Sequence, residues 1–377
     1  MYRAPGRVNI IGEHTDYNDG FVLPTTIALY TWLAIAPRPD RNLHVYSCKF
    51  DGVEVIDLDQ IEKGGNGQWC EYVKGVAFIL ESEGFTLNGA DIVIDGEIPL
   101  GSGLSSSASL ETVLALALLD CADLEIDRSR LAQFCQRAEA DFVGVHCGIM
   151  DQYVIACCTN GHAMMLDCRS LDYQLIAVTD EALLMIVDSG VHHQLPDGEY
   201  NSRRGECEEA VSTLVNEIPK LESLRDLSLT QLEDRRDLLG DRLYRRCRHV
   251  LTENHRVSDA HAALLSNDVD RLGQLINASH ASLRDDYEVS CSEVDVLVEI
   301  ANSCPGVYGT RMLGAGFGGC ALSLVAPAYL DPIVDKISSE YGKFLGRQPW
   351  IHVAAPSGAV QAVPLTELVD HQPEIPI

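Results

Sequence analysis

PLGSGLSSSAS, Pro99 to Ser109, stands between Ala90–Ile98, which reads as a strand, and the strongly apolar Leu110–Cys121, which reads as a buried helix. In such a loop the backbone N–H groups and the N-terminus of the following helix converge on one point, which makes an anion site. No Gly-Lys-Ser/Thr follows, so it is not a Walker A loop. The dinucleotide fingerprint fails as well, because Ser106 stands where its third glycine belongs. A serine-rich helix N-cap that binds nothing is the alternative reading.

Upstream, the chain is rich in strand-forming sequence: Val8 to Gly12, Val22 to Ala36 and His44 to Phe50. A helix follows with Trp69, Tyr72, Val73, Val76, Ile79 and Leu80 on one face and Gly84 at its end. Downstream, Asp127 caps a helix running to about Phe142. Strands are expected at His162–Asp167 and Ala182–Asp188, with a lobe boundary near Asp180, giving lobes of residues 1–180 and 181–377. The second lobe reads as helices at Glu199–Val215, Asp241–Ser266, Asp270–Asp286 and Ser292–Ser303. It ends with a glycine-rich turn, a strand at Cys320–Val325, a helix at Tyr329–Tyr341 and a last strand near Trp350–Ala354. Strands and helices segregated in each half predict an α+β fold of two lobes with a cleft between them.

A chain of 377 residues is long enough for two separate cores. Its 56 acidic against 28 basic side chains, a net charge of -28, argue against a nucleic-acid or anionic-membrane surface. This acidity reads as solubility in a concentrated or salty cytoplasm. The thirteen cysteines include no C-x-x-C pair and fit reduced thiols better than a disulfide framework. Among the twelve histidines there is no H-E-x-x-H, and the adjacent His192 and His193 read as a loop or strand-end pair. The longest apolar run, Val113–Leu119, is too short to span a bilayer. Only six lysines occur and none lies in the serine-rich loop. Phosphate charge there would be met by backbone amides, the helix dipole and a metal held by serine hydroxyls and a carboxylate.

Four further segments carry chemistry. GRVNIIGEHTDYNDG (Gly6–Gly20) crowds Glu13, His14, Thr15 and Asp16 behind one arginine. AEADFVGVHCGIMDQ places Glu139 and Asp151 on either side of Gly148. GEYNSRR spans Gly198–Arg204, and GTRMLGAGFGGCALSL (Gly309–Leu324) has a glycine density that lets a backbone or a ligand approach closely. Taken together with the Pro99–Ser109 loop, they resemble the GHMP small-molecule kinases, and within them the galactokinase family. The resemblance spans nearly the whole chain, with the motifs in family order. Members usually carry a short leader with an extra strand before APGRVN, whereas here the sequence starts almost at that motif, which bears on how the first strand packs.

The resemblance implies phosphorylation by ATP of the anomeric hydroxyl of galactose, as in galactose catabolism. Glu13, His14, Thr15 and Asp16 are then partners for sugar hydroxyls, with Gly148, Asp151 and Tyr200 completing the pocket. Asp151 takes or orients the proton of the attacking hydroxyl, and Arg7 holds Asp151 ionised and stabilises the transferring phosphoryl group. Gly101, Ser102, Gly103, Leu104, Ser105, Ser106 and Ser107 wrap the nucleotide phosphates, and Ser107 and Glu139 bind Mg²⁺. Trp69, Tyr72 and Ser47 line the adenine pocket, although the two aromatics read equally as core residues. A cytoplasmic monomer is expected, without nucleic-acid or membrane partners. Two rivals remain: a sibling kinase for N-acetylgalactosamine or arabinose, favoured by a roomier pocket at the sugar's second carbon, and a non-catalytic galactose sensor, which would have a broken phosphate loop or lack Asp151.

Overall fold

The computed structural model describes residues 1–64, 69–191 and 196–364. His192 and His193 lie outside them. In chain order the first half comprises β1 (Tyr2–Asn9), β2 (Phe21–Val22), β3 (Pro24–Pro37), β4 (Asn42–Ser47), β5 (Phe50–Asp57), α1 (Trp69–Ser82), β6 (Ala90–Gly96), α2 (Ser106–Cys121), α3 (Arg128–Arg137), α4 (Met150–Cys157), β7 (His162–Asp167) and β8 (Tyr173–Ala177). The remainder comprises β9 (Leu183–Asp188), α5 (Pro196–Leu214), α6 (Leu229–Glu233), α7 (Arg236–Leu265), α8 (Val269–Ser282), α9 (Ser292–Asn302), β10 (Val307–Met312), β11 (Cys320–Val325), α10 (Leu330–Leu345), β12 (Ile351–Ala354) and β13 (Gln361–Ala362).

Two sheets organise these elements. The larger runs β13-β1-β3-β6-β4-β5, with β7 joining β2, β3 and β8; the smaller runs β10-β11-β9-β12. One face of the large sheet is covered by α1 to α4, so Leu33, Leu43, Val45 and Ile92 meet Val113, Leu114 and Leu118 in one core. Because α2 is buried nearly all round, its sequence is apolar without a polar stripe. A second core lies between the small sheet and α5, α7, α9 and α10. A third apolar cluster joins the halves, with Val8, Ile10, Ile27 and Leu104 packed among Ile186, Leu322, Val257 and Ile276. That apolar junction packs the two halves together and holds the cleft walls in register.

Several boundaries differ from the sequence reading for identifiable reasons. β1 begins at Tyr2 instead of Val8, because Tyr2 to Asn9 pair antiparallel along β3. His44–Phe50 is not one strand: the chain reverses after Ser47, and β5 returns antiparallel to β4. α2 starts at Ser106, four residues earlier than its apolar pattern suggests, and so brings Ser106 and Ser107 into its first turn. Asp127 does cap α3, accepting from the Ser129 and Arg130 amides at 2.9 and 3.3 Å. After α3 the helix continues through Val143 as a π-helical segment, Ala138–Val143, that carries Glu139. Such segments are frequent at functional sites. Beyond β12 the chain returns to the large sheet: the Ser357 amide donates to the Thr26 carbonyl at 3.0 Å, and β13 pairs with β1.

Candidate active site

Arg7 leaves β1 toward the N-terminus of α4. Its Nε and Nη2 donate to Oδ1 and Oδ2 of Asp151 at 2.8 and 3.0 Å, a bidentate pair, and Nη1 donates to the Gly103 carbonyl. The arginine side chain is 5% exposed and the aspartate 28%, so the pair shows its acidic end to the cleft. Ser105, at the N-cap of α2, has φ +61° and makes no capping bond; its hydroxyl donates to Oδ2 of Asp151. The serine-rich loop is therefore not an ordinary N-cap.

The Glu13–Asp16 turn is held by long-range contacts. Oε1 of Glu13 accepts from both terminal nitrogens of Arg311 at 3.1 Å and from the Gly314 amide at 2.9 Å, while Oε2 accepts from Asn9 at 3.0 Å. Nδ1 of His14 lies 2.8 Å from the Tyr17 hydroxyl, and Nε2 lies 3.1 Å from the Ala315 carbonyl. Thr15 is fully buried, and its hydroxyl faces the carbonyls of Gly12 and Phe21 at 2.9 and 2.7 Å. Thr15 thus shapes the turn and does not reach the cleft. Asp16 does reach it. A Cβ built on Gly148 would lie 2.0 Å from Oδ2 of Asp16, so only glycine leaves this carboxylate its place.

The phosphate-type loop and the glycine-rich turn meet backbone to backbone. Gly103 sits at φ +79°, where a side chain is strained, and a Cβ would lie 3.0 Å from the Leu313 carbonyl oxygen, while the Cys320 amide donates to the Ser102 carbonyl at 3.2 Å. Two of the expected phosphate-loop side chains point inward: Leu104 enters the junction core, and Ser102 is buried with its hydroxyl on the Pro99 carbonyl at 2.7 Å. The Leu104 carbonyl accepts from the Arg7 amide at 3.2 Å, which fixes the loop to β1.

Two adjoining cavities result. The first, about 300 Å³, is lined by Arg7, Glu13, His14, Asp16, Gly101, Gly103, Ser105, Gly148, Asp151 and Tyr200. The second, about 630 Å³, is lined by Ser47, Lys49, Phe50, Trp69 and Leu110. Tyr72, Ser106 and Ser107 line both. Phe50 stacks on Trp69 with centroids 5.7 Å apart and planes 6° apart, making a flat apolar wall of the kind a planar base would fit. Trp69 lines this cavity and also packs against the first core. Lys49, which sequence reasoning passed over, comes to this cavity through the β4–β5 reversal and donates to the Ile98 carbonyl at 2.9 Å.

Negative charge is crowded at the border of the two cavities. Glu139 is buried and hydrogen-bonded to Ser107; burial, followed by the charge of Asp151, pushes its carboxyl up to about 7. Behind it Glu111 is fully buried and raised well above the usual carboxylate range, by burial and then by Glu139. Gln152 Nε2 bridges Oε2 of both glutamates, at 3.0 Å to Glu111 and 2.7 Å to Glu139. Asp16 is pushed up to about 7 by burial, then by Asp151 and Glu13. Glu139, Asp16, Asp151 and Ser107 bring hard oxygen atoms to this border. Among the described residues no group of three or more His, Cys, Asp or Glu is arranged to hold a metal. One carboxylate and one hydroxyl fit Mg²⁺, which completes its shell with phosphate and water.

Arg311, Asn9, Tyr17, Gln152 and Glu111 are site-supporting residues that sequence reasoning did not assign. The only available signal was their position inside or beside the quoted motifs. Among the described residues no helix is long and apolar enough to cross a membrane, and all thirteen cysteines are free thiols.

The galactokinase galactose-binding signature matches residues 1–37, the GHMP kinases N terminal domain residues 71–159 and the GHMP kinases C terminal domain residues 260–343. A galactokinase of Chloroflexus aurantiacus is 45% identical over 92% of this chain and 89% of its own length, and one of Clostridium acetobutylicum is 40% identical over 94% and 92%. The crystal structure of Lactococcus lactis galactokinase complexed with galactose superposes with a TM-score of 0.93, at 38% identity, over 96% of this chain and 94% of that one. A Methanococcus jannaschii mevalonate kinase, at 17% identity and a TM-score of 0.67 over 95% and 98% of the two chains, shares the fold. With the same fold, three family models matched along the chain and this identity over nearly the full length, the chain belongs to the galactokinase family of GHMP kinases and is an ATP-using sugar kinase.

Proposed function

We propose that the chain transfers the γ-phosphoryl group of ATP to the anomeric hydroxyl of D-galactose, giving α-D-galactose 1-phosphate and ADP. The observation that carries this reading is the bidentate Arg7–Asp151 pair on the wall of the smaller cavity, beside the serines shared with the larger one. The sugar occupies the smaller cavity and the nucleotide the larger, with its base against Trp69, Phe50 and Tyr72, near Ser47. Oδ2 of Asp151 already accepts from Arg7 and Ser105, which leaves Oδ1 the lone pair for the sugar hydroxyl. The hydroxyl proton passes to Asp151, the freed oxygen attacks the γ-phosphorus, and the bond to the bridging oxygen of ADP breaks. Arg7 keeps Asp151 oriented and adds positive charge beside the transferring group.

Glu13 and Asp16 accept from sugar hydroxyls, Gly148 leaves room for them, and Tyr200 walls the pocket. Ser107 and Glu139 would hold Mg²⁺, which when bound neutralises phosphate charge. The backbone of Gly101 to Ser107 cradles the phosphates at the α2 N-terminus, where Ser106 and Ser107 add hydroxyl donors. The reading extends to a monomer working in the cytoplasm, with lobes divided near residue 180.

The test is product formation from Mg-ATP with galactose, glucose, N-acetylgalactosamine, arabinose and mevalonate, followed by phosphorus NMR. Galactose should give an anomeric phosphate well ahead of the rest. Glucose, inverted at the fourth carbon, leaves a charged pocket group without its partner, at a cost of about 1.5 to 3 kcal/mol or about 10- to 150-fold in specificity. Preference for N-acetylgalactosamine or arabinose would move the chain to a sibling activity. Binding of galactose without turnover would make it a sensor, and phosphate on the sixth carbon would overturn the reading.

A further inference from the structure

His14 lines the sugar-sized cavity, yet neither of its ring nitrogens is available to a sugar. It sits at φ +63° with the residue 4% exposed. The Ala315 carbonyl can only accept, so Nε2 carries a proton. Burial, ahead of repulsion from His249, pushes the imidazolium down to about 3 and leaves the ring neutral, so Nδ1 is an acceptor. The Tyr17 hydroxyl, 2.8 Å away, therefore donates to Nδ1 and is left to accept. Its other neighbour is the Tyr287 hydroxyl at 2.8 Å, which donates to Tyr17 and accepts from the Cys207 thiol at 3.1 Å. Every proton in the row Cys207, Tyr287, Tyr17, His14, Ala315 then has one direction. The row also crosses the molecule: Cys207 lies on α5, Tyr287 follows α8, and Ala315 belongs to the glycine-rich turn, while His14 and Tyr17 belong to the sugar-signature turn.

We propose that Tyr17, backed by Tyr287, is a positioning residue for sugar recognition: it locks His14 as the Nε2–H tautomer, so that His14 ties the glycine-rich turn to the Glu13–Asp16 turn and presents a ring surface, not a nitrogen, to the sugar. This rests on the galactose reading for the identity of the sugar, but the tautomer does not. His14 has ring contacts on two sides, with Tyr200 at 5.7 Å and Tyr287 at 4.8 Å between centroids. A ring free to flip would release Ala315 and with it the neighbouring Gly314 amide that binds Glu13.

The experiment uses full-length protein labelled with ¹⁵N-histidine, the His14 signals being assigned by their loss in His14→Gln. Wild type should show His14 with Nε2 protonated and Nδ1 as a hydrogen-bonded imine nitrogen. In Tyr17→Phe the Nδ1 signal should move to the unbonded position. The KM for galactose should rise about 5- to 30-fold, while kcat and the KM for ATP stay within about threefold. Tyr287→Phe should do less, because Tyr17 still donates. A mere packing role predicts the opposite order, since Tyr287 is fully buried and Tyr17 is not. An Nδ1–H or doubly protonated His14 in wild type overturns the proposal, and so does Tyr17→Phe with unchanged nitrogen shifts and galactose KM. Should that variant fail to fold, the wild-type tautomer decides. Absence of galactose phosphorylation in wild type would count against the proposed function and leave the tautomer reading intact.

Discussion

Replacing Arg311 by methionine removes the cation paired with Glu13. The Arg311 side chain is fully buried, that of Glu13 is 3% exposed, and the two share a pair of 3.1 Å contacts. Arg311 also donates to the carbonyls of Ile10 at 2.9 Å and Met312 at 2.8 Å, and to that of Asn9. Breaking a buried pair from one side costs about 3 to 5 kcal/mol, because the remaining charge keeps its desolvation penalty. Against a typical stability of about 5 to 15 kcal/mol this is a large fraction. Arg311→Lys should recover only part, since an ammonium does not reproduce a planar fork of five donors. The decisive measurement is a double-variant cycle by urea unfolding. Arg311→Met combined with Glu13→Gln should be less destabilised than the sum of the single changes, by about 1 to 3 kcal/mol, since neither partner is then a stranded charge. Additive effects, or a loss below about 1 kcal/mol for Arg311→Met, would refute the assignment of Arg311 as the support of Glu13.

Asp151→Asn should lower kcat by about 100-fold or more with the KM for ATP little changed; near-normal turnover would remove Asp151 from proton transfer. Gly148→Ala drives a methyl into the Asp16 carboxylate, so the KM for galactose should rise about 10-fold or more while the unfolding midpoint barely moves, as enzyme kinetics and thermal melts would show. In a magnesium titration Ser107→Ala and Glu139→Gln should each raise the requirement, and the double variant should be much less than additive, because both residues would serve one ion. Asp16 holds its proton up to about pH 7 when folded against 3.8 unfolded, so its stability penalty is absent below about pH 4 and grows as pH rises toward 7. Asp16→Asn should therefore be more stable than wild type by about 1 to 3 kcal/mol at pH 8 and by nothing at pH 4, measured as unfolding free energy across pH.

Features decided by nearest neighbours were legible in the sequence. β7 and β11 run over the residues read for them, because a short apolar run bounded by turns has few other conformations. Asp127 is a cap because a carboxylate two and three residues ahead of free amides satisfies them wherever the helix lies. The motif order was legible as well, and the fold brings Arg7, Asp16, Ser107, Glu139, Gly148, Asp151 and Tyr200 to one cleft. Short elements such as β8 and α4 escaped, since a segment this brief is settled by the partners it packs against and not by its own local pattern.

Side-chain direction and charge compensation were left to tertiary structure. Thr15 shares a motif with Glu13 and Asp16 yet turns inward, because its hydroxyl closes the turn on Gly12 and Phe21. Leu104 sits in a phosphate-type loop yet fills the junction core. Glu13 finds its counter-ion 298 residues away, and Gln152 joins Glu111 to Glu139 across three elements. Local sequence thus determined most of the strands and helices, since dihedral preference and apolar periodicity act over a few residues. Which atoms of the loops between them face the ligand, and which charges are neutralised, was decided only when the sheets packed and excluded water, because burial makes an unpartnered polar group costly and so selects its partner.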